Sequence, residues 1–209
     1  MTNLTLPGFG PEPPKDMDSL KKQAMTCTKC RLSETRTRVT WSMGDLHSPL
    51  MLVGQGPSVT DDTTGLPYSG PAGEVLDAVL AAAGLSRAMI YLTNCHKCVA
   101  RQKNDPANVR SATKAELSAC KEWLDGEFQL VKPKVLVCLG AAAAVWLLER
   151  AFDFEKQRGE WVQGPFNTRA MATYQPTYST RIREHDPEKA DQIHRALIED
   201  LKKAAAALG

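Results

Sequence analysis

The sequence predicts an α/β fold, a three-layer α/β/α sandwich around a central four-stranded parallel sheet, and three observations carry the prediction. Four short apolar runs bounded by turn residues, Leu50 to Gly54, Met89 to Asn94, Lys134 to Gly140 and Arg169 to Tyr174, read as strands buried on both faces. Helical patterns fall between and after them, and that alternation is the signature of a parallel sheet covered on both sides. At 209 residues, 43% of them hydrophobic, the chain can fill one core and is too short to expect two.

Residues 1–16, rich in proline and glycine, predict a flexible arm, with a single domain over residues 17–209. Asp16 is placed to cap a helix in which Met17, Leu20, Ala24 and Cys27 recur at helical spacing, so that the pair Cys27 and Cys30 falls where this helix ends. Arg31, Arg36 and Arg38 follow, either as a solvated loop or as a phosphate-facing patch. After the first strand, Pro71 and Glu74 open a helix whose inner face is Val75, Leu76, Val79, Leu80 and Ala83. Gly84 stops it. A polar loop from His96 to about Thr113 precedes a helix to Leu130, and Pro133 ends that helix. The apolar helix Ala141 to Glu149 follows the third strand, and Asp186-Pro187-Glu188 begins the last helix, with Ile193, Leu197 and Leu201 inward.

Composition narrows the function. A net charge of +2 is too mild to declare or exclude a nucleic-acid partner. No apolar run approaches the ~18 residues of a membrane span, and the first residues lack a basic stretch followed by an apolar core. A soluble cytoplasmic protein with no membrane partner is the expectation. Six cysteines in that compartment call for an explanation other than disulfides.

In parallel sheets, ligands sit outside the carboxyl ends of the strands. That rule gathers the segment Gly54 to Tyr68, Asn94 and the segment Gln175 to Tyr178 on one rim. Gly54-Gln55-Gly56-Pro57 suggests a dinucleotide loop but fails as one: Val59 replaces the third glycine, and Pro57 removes an amide donor. His47, His96, His185 and His194 fall in loops or on the last helix, with no serine or cysteine nucleophile convincingly paired to them. The rim instead offers the carboxylates Asp61 and Asp62, the aromatic face of Tyr68 and the amides of Asn94 and Gln175. A flat heteroaromatic ligand fits this set, stacked on Tyr68 and read along its edge by Asn94 while a carboxylate positions water.

Gly54-Gln55-Gly56-Pro57, Asp61-Asp62, Gly65-Leu66-Pro67-Tyr68, Gly70-Pro71-Ala72-Gly73, Tyr91-Leu92-Thr93-Asn94 and Lys97-Cys98 together resemble the uracil-DNA glycosylase superfamily, in its iron-sulfur (family 4) branch. Cys27-x-x-Cys30-Arg31-Leu32, Cys120, Trp123-Leu124 and Pro133-Lys134 fit the same pattern, so the match runs from Cys27 to Arg181. The resemblance implies a repair enzyme that hydrolyses the N-glycosidic bond of uracil, or another deaminated base, flipped out of single- or double-stranded DNA, acting as a monomer. It implies that Cys27, Cys30, Cys98 and Cys120 hold a structural [4Fe-4S] cluster. Four thiolates also suit zinc, although Cys98 and Cys120 do not form the second tight pair common in a zinc ribbon. Cys95 and Cys138 read as core residues.

The resemblance gives Tyr68 the stacking position, Asn94 the base edge, Gly54, Gln55, Gly56 and Ser58 the pocket turn, and Asp61 the water-placing acid. Tyr178 and Arg181 fall on the segment that approaches DNA, and Lys97, Arg101 and Lys103 are expected to add phosphate contacts. Three departures qualify the likeness. Gln55 and Ser58 stand where the family turn has an acid and a glycine, and Ser58 is expected to narrow the pocket. Gln175-Pro176-Thr177 stands where the family has His-Pro-Ser, so the donor to the departing uracil is the glutamine at 175. A weaker oxyanion donor costs on the order of 10²-fold or more in rate. The loop from Cys98 to Cys120 is longer than usual and, having no histidine between Arg101 and Cys120, does not invite covalent trapping of DNA. The alternative is a catalytically weak or inactive member of the superfamily that binds uracil-containing or damaged DNA.

Overall fold

The computed structural model describes residues 14–148 and 152–209. Most of the expected arm, and Glu149 at the expected end of its helix, lie outside the described residues. In chain order the elements are α1 (Met17–Met25), α2 (Leu32–Thr35), β1 (Met43–Gly44), β2 (Leu50–Gly54), α3 (Val59–Thr64), α4 (Pro71–Ala82) and β3 (Tyr91–Asn94). Then come α5 (Lys114–Val131), β4 (Val135–Leu139), α6 (Ala141–Leu147), α7 (Phe154–Gln157), β5 (Val162–Gln163), β6 (Arg169–Thr173), α8 (Pro176–Ile182) and α9 (Pro187–Ala206).

Among the described residues the sheet runs β1-β3-β2-β4-β6-β5. Its middle four strands are mutually parallel and are the four expected from the apolar runs. The second begins at Tyr91 because Arg87–Met89 closes a 3-10 turn just before it. The edges β1 and β5 pair antiparallel and were not foreseen. Each is two residues long and only partly buried, too short to show a period, so pairing with β3 and β6 creates them.

Side chains alternate between two cores, as the pleat requires. Leu50 and Leu52 of β2, with Val135 and Val137 of β4, meet Leu76 and Leu80 of α4 and Leu197 and Leu201 of α9. Met51, Val53, Leu136 and Cys138 meet Leu124 and Phe128 of α5 and Ala143 and Ala144 of α6 on the other face. Each fully buried aliphatic side chain is worth about 1.5–3 kcal/mol over its exposed state. The helix ends follow their sequence signals. Asp16 and Asp186 accept hydrogen bonds from Ser19 N and Lys189 N at 2.7 and 2.9 Å, and Gly84 ends α4 with a positive φ of 74°. Val75 is half-buried rather than a full core residue.

β2 has β3 on one side and β4 on the other, so the strand order reverses there and the connections leave in opposite directions. That switch point opens a crevice at the carboxyl ends, between the turn after β2 and the turn after β4.

Candidate active site and cysteine corner

On the β2/β3 side the site is closed and buried. Asn94 ends β3 with 2% exposure. Its Oδ1 has no hydrogen-bond partner among the described residues. Gly54, its register partner on β2, leaves the space that this amide uses: a Cβ there would overlap both Asn94 Oδ1 and the Tyr68 hydroxyl. Tyr68 is buried, and its phenol is pushed well above the usual range by desolvation. Its backbone sits at φ 53°, a conformation costing about 1–3 kcal/mol for a non-glycine residue. Arg87 holds that turn in place. Its guanidinium donates to the Tyr68 carbonyl at 2.7 Å and the Pro67 carbonyl at 3.3 Å while pairing with Asp77. Gly73 allows the close approach, since a Cβ there would strike the Tyr68 carbonyl.

The loop between Gly54 and Tyr68 is organised by α3. Ser58 caps it: the Ser58 hydroxyl accepts from Asp61 N at 3.1 Å, and Asp61 Oδ2 accepts from Ser58 N at 2.9 Å. Asp61 Oδ1 also accepts from Ser69 N at 2.7 Å and the Ser69 hydroxyl at 2.9 Å. Ser58 and Asp61 therefore form a capping box, and the Asp61 carboxylate ties both ends of the loop together. Asp62 belongs to a separate network. It accepts from Thr37 N and Arg38 N and pairs with Arg101 at 2.8 Å, so the two adjacent carboxylates do not act as a pair.

The β4/β6 side is open. A cavity of about 250 Å³ lies at the switch point, lined by Gln55, Gly140, Phe154, Tyr174, Gln175, Tyr178 and Arg181 among others. Gln175 is exposed, directly before α8, and packs beside Gly140, whose φ of 98° suits glycine. Tyr178 and Arg181 lie on α8 with the Arg181 guanidinium 5.7 Å from the Tyr178 ring centre. Tyr68, Asn94 and Asp61 do not line this cavity. The residues assigned to one rim thus fall into two compartments, joined at the turn Gly54 to Gly56.

Cys27, Cys30, Cys98 and Cys120 line one small cavity together with Ala24, Val39 and Trp123. Two sulfurs already accept hydrogen bonds, Cys98 Sγ from Arg36 Nη1 and Cys120 Sγ from Lys97 N, each at 3.3 Å. Burial pushes the Cys120 thiol up to about 12, so a thiolate there needs a cation or a metal. Four cysteines around one cavity, with N–H donors to two of the sulfurs, are the donor types of an iron-sulfur or zinc centre, and among the described residues no three such side chains are gathered closely enough to hold a metal ion. Cys95 and Cys138 are buried in the sheet core, as expected.

A model of the uracil DNA glycosylase superfamily matches residues 41–202. The type-4 uracil-DNA glycosylase of Thermotoga maritima is 30% identical over 90% of this chain and 92% of its own length. That of Archaeoglobus fulgidus is 30% identical over 81% and 87%, and a type-5 enzyme of Pyrobaculum aerophilum is 28% identical over 77% and 82%. The chain belongs to the uracil DNA glycosylase superfamily. Its α/β sandwich is that of a superfamily member.

Within this superfamily member, several residues play parts that sequence reading did not assign. Lys97, expected to face phosphate, is 1% exposed. Its ammonium pairs with the buried Glu127 at 2.6 Å and donates to the Asn94 carbonyl at 3.1 Å. Arg101 is turned to Asp62 and to the carbonyls of Thr35 and Pro106. Of the three, Lys103 is the exposed one. The segment His96 to Ala100, read as polar loop, is buried because it carries the chain from Asn94 to the cysteine corner. His96 lies against Gly56, with Nδ1 2.9 Å from the Cys98 carbonyl, and burial lowers its pKa to about 4. The histidine nearest the rim is therefore neutral at physiological pH. The tight His-x-Cys spacing was the only sequence signal that could have found it.

Proposed function

We propose that the protein is a monofunctional glycosylase that hydrolyses the N-glycosidic bond of uracil flipped out of DNA. The partnerless Asn94 Oδ1 carries this reading. A buried acceptor left unsatisfied costs about 1–3 kcal/mol. Uracil offers the N3–H that would satisfy it beside a carbonyl that the same amide can donate to. Tyr68 supplies the apolar wall, and Gly54 leaves room for the amide and the phenol above it.

In this reading, flipping and closure against the Gly54 to Ser58 turn orient the glycosidic bond, and water adds to the sugar carbon as the base leaves with the bonding electrons. The Gln175 amide donates to the negative uracil oxygen. Asp61 first of all shapes the loop, and the remaining acceptor capacity of its Oδ2 is assigned to the attacking water. Tyr178, Arg181 and Lys103 approach the DNA strand. Cys27, Cys30, Cys98 and Cys120 hold a [4Fe-4S] cluster whose role is to tie α1 and the segment after Asn94 to α5. The described residues contain no helix long and apolar enough to cross a membrane, and we place the enzyme in the cytoplasm as a monomer.

The deciding experiment treats a uracil-containing single-stranded oligonucleotide with purified protein and then alkali. Cleavage at the uracil is the expected result, and an intact strand overturns the reading. Iron and acid-labile sulfide near four each per chain, with visible absorption, are expected for the cluster. Stoichiometric zinc would overturn that assignment.

The exposed Gln175 favours a second reading, in which this member binds uracil-DNA but excises slowly. Tight binding with little strand cleavage by the native protein, relieved by Gln175→His, would select it.

A further inference from the structure

The 250 Å³ cavity at the β4/β6 rim is more than the space that Gln175 needs, and its lining has a definite chemistry. Phe154, Tyr174 and Tyr178 form an aromatic wall: Phe154 meets Tyr174 edge-on at 5.5 Å, and Tyr174 and Tyr178 lie within 27° of parallel at 5.9 Å. Cations cover this wall at both ends, Arg158 over Tyr174 at 5.0 Å and Arg181 over Tyr178 at 5.7 Å. The amides of Gln55 and Gln175 add donors and acceptors, and the lining also carries the carboxylate of Glu155 and the guanidinium of Arg181.

A phosphate site would need an excess of positive charge and backbone or side-chain donors aimed inward. Here the lining charges of Glu155 and Arg181 cancel, Arg158 behind Tyr174 is paired with Asp200 at 2.7 Å, and the remaining surface is aromatic, aliphatic and amide. Such a combination suits the π-face and the polar edge of an unpaired nucleobase. Gln55 leads directly from this cavity into the turn Gly54 to Gly56 that forms the floor at Asn94. One extended strand can therefore reach both compartments.

We propose that this cavity is a second base subsite, which holds the unstacked nucleobase next to the flipped uracil in the same DNA strand. The proposal rests on the reading of the β2/β3 side as a uracil pocket and extends it to a substrate preference. A neighbouring base can enter only if it is unpaired, so single-stranded or locally melted DNA is the preferred substrate. Stacking on an aromatic platform is largely indifferent to base identity, so the subsite reads the presence of a base more than its type.

The test measures binding of fluorescent single-stranded oligonucleotides carrying one non-cleavable 2′-fluoro-deoxyuridine. A tetrahydrofuran abasic unit replaces the nucleotide on its 5′ side or on its 3′ side. Removing the base on one side is expected to weaken binding about tenfold or more, and on the other side much less. Tyr178→Ala should weaken binding to the intact oligonucleotide by a similar factor and abolish the sensitivity to the missing base. Tyr178→Phe, which keeps the ring, should retain the sensitivity to the missing base, and an unchanged melting temperature of Tyr178→Ala shows that its loss is not one of folding. Equal affinity for all three oligonucleotides, or a Tyr178→Ala effect that simply adds to that of the missing base, would overturn the subsite. So would an affinity governed by Arg181→Gln and salt alone, which marks a phosphate contact. Replacing the fluoro-deoxyuridine by fluoro-deoxycytidine tests the uracil pocket separately: lost uracil preference with retained neighbour sensitivity refutes the pocket and leaves the subsite standing.

Discussion

The two sides of the rim differ in how much of their shape is already settled. At the β2/β3 side Asn94 and Tyr68 are buried, the Tyr68 turn is clamped by Arg87, and Lys97 holds the Asn94 carbonyl. At the β4/β6 side Gln175 and Arg181 are exposed and face an open cavity. Recognition of a base edge requires donors and acceptors held to fractions of an ångström, and a low-dielectric surrounding strengthens them. Admission of a DNA strand requires an accessible surface. On the proposed reading, the closed side serves discrimination, and the open side serves entry and stabilisation of the leaving group.

The sharpest way to break this comparison is Asn94→Ala. Uracil excision is expected to fall by on the order of 10²-fold or more in single-turnover assays, with the melting temperature little changed, because Asn94 Oδ1 has no partner among the described residues. A large loss of stability with normal excision would reverse the roles assigned to this side.

Next in size is the buried pair behind it. Lys97→Met alone strands Glu127 and should cost about 3–5 kcal/mol in denaturant unfolding. Lys97→Met with Glu127→Gln should recover most of that, since it removes both buried charges while the amide oxygen still accepts from the Tyr91 and Thr93 hydroxyls. The double variant still lacks the donor to the Asn94 carbonyl, so a KM several-fold above native is expected to persist after stability is restored. Full recovery of KM would show that Lys97 acts only on the fold.

On the open side, Gln175→His should raise the excision rate by about tenfold or more at neutral pH, because imidazole is the better donor to a developing anion. Binding of uracil-DNA should change little. An unchanged rate would mean that the glutamine does not limit the chemistry.

The smallest effect lies at the outer edge of the cysteine corner. Arg110 and the capping Thr113 hold the Glu116 carboxyl at about 2, against an ordinary value of 4.5. Its stabilising contribution is complete above pH 4.5 and disappears as the pH falls towards 2. Glu116 is buried, but the side chain of its partner Arg110 is about a third exposed, so solvent screening keeps the contribution small. Glu116→Gln should flatten the stability profile slightly in that window and leave excision unaltered at neutral pH.

The sequence by itself determined the four parallel strands, the helix caps at Asp16 and Asp186, and the gathering of Gly54, Asn94 and Gln175 at one end of the sheet. Those features depend on local apolar runs, capping residues and the topology of alternating elements, all of which leave a mark in the order of residues. The resemblance supplied the four-cysteine set, and the structure brings those cysteines around one cavity. Only the tertiary structure decided that Lys97 turns inward to Glu127, that Arg101 is held by Asp62, and that Asp61 closes a capping box. A charged residue in a loop reads as solvated or phosphate-facing until its partner from a distant segment is known, and Lys97 and Glu127 are thirty positions apart. The division of the rim into two compartments has the same origin. Position in the sequence places a residue at a strand end, but the packing of Tyr68 over Gly54 and of Gln175 beside Gly140 settles which side chains share a space.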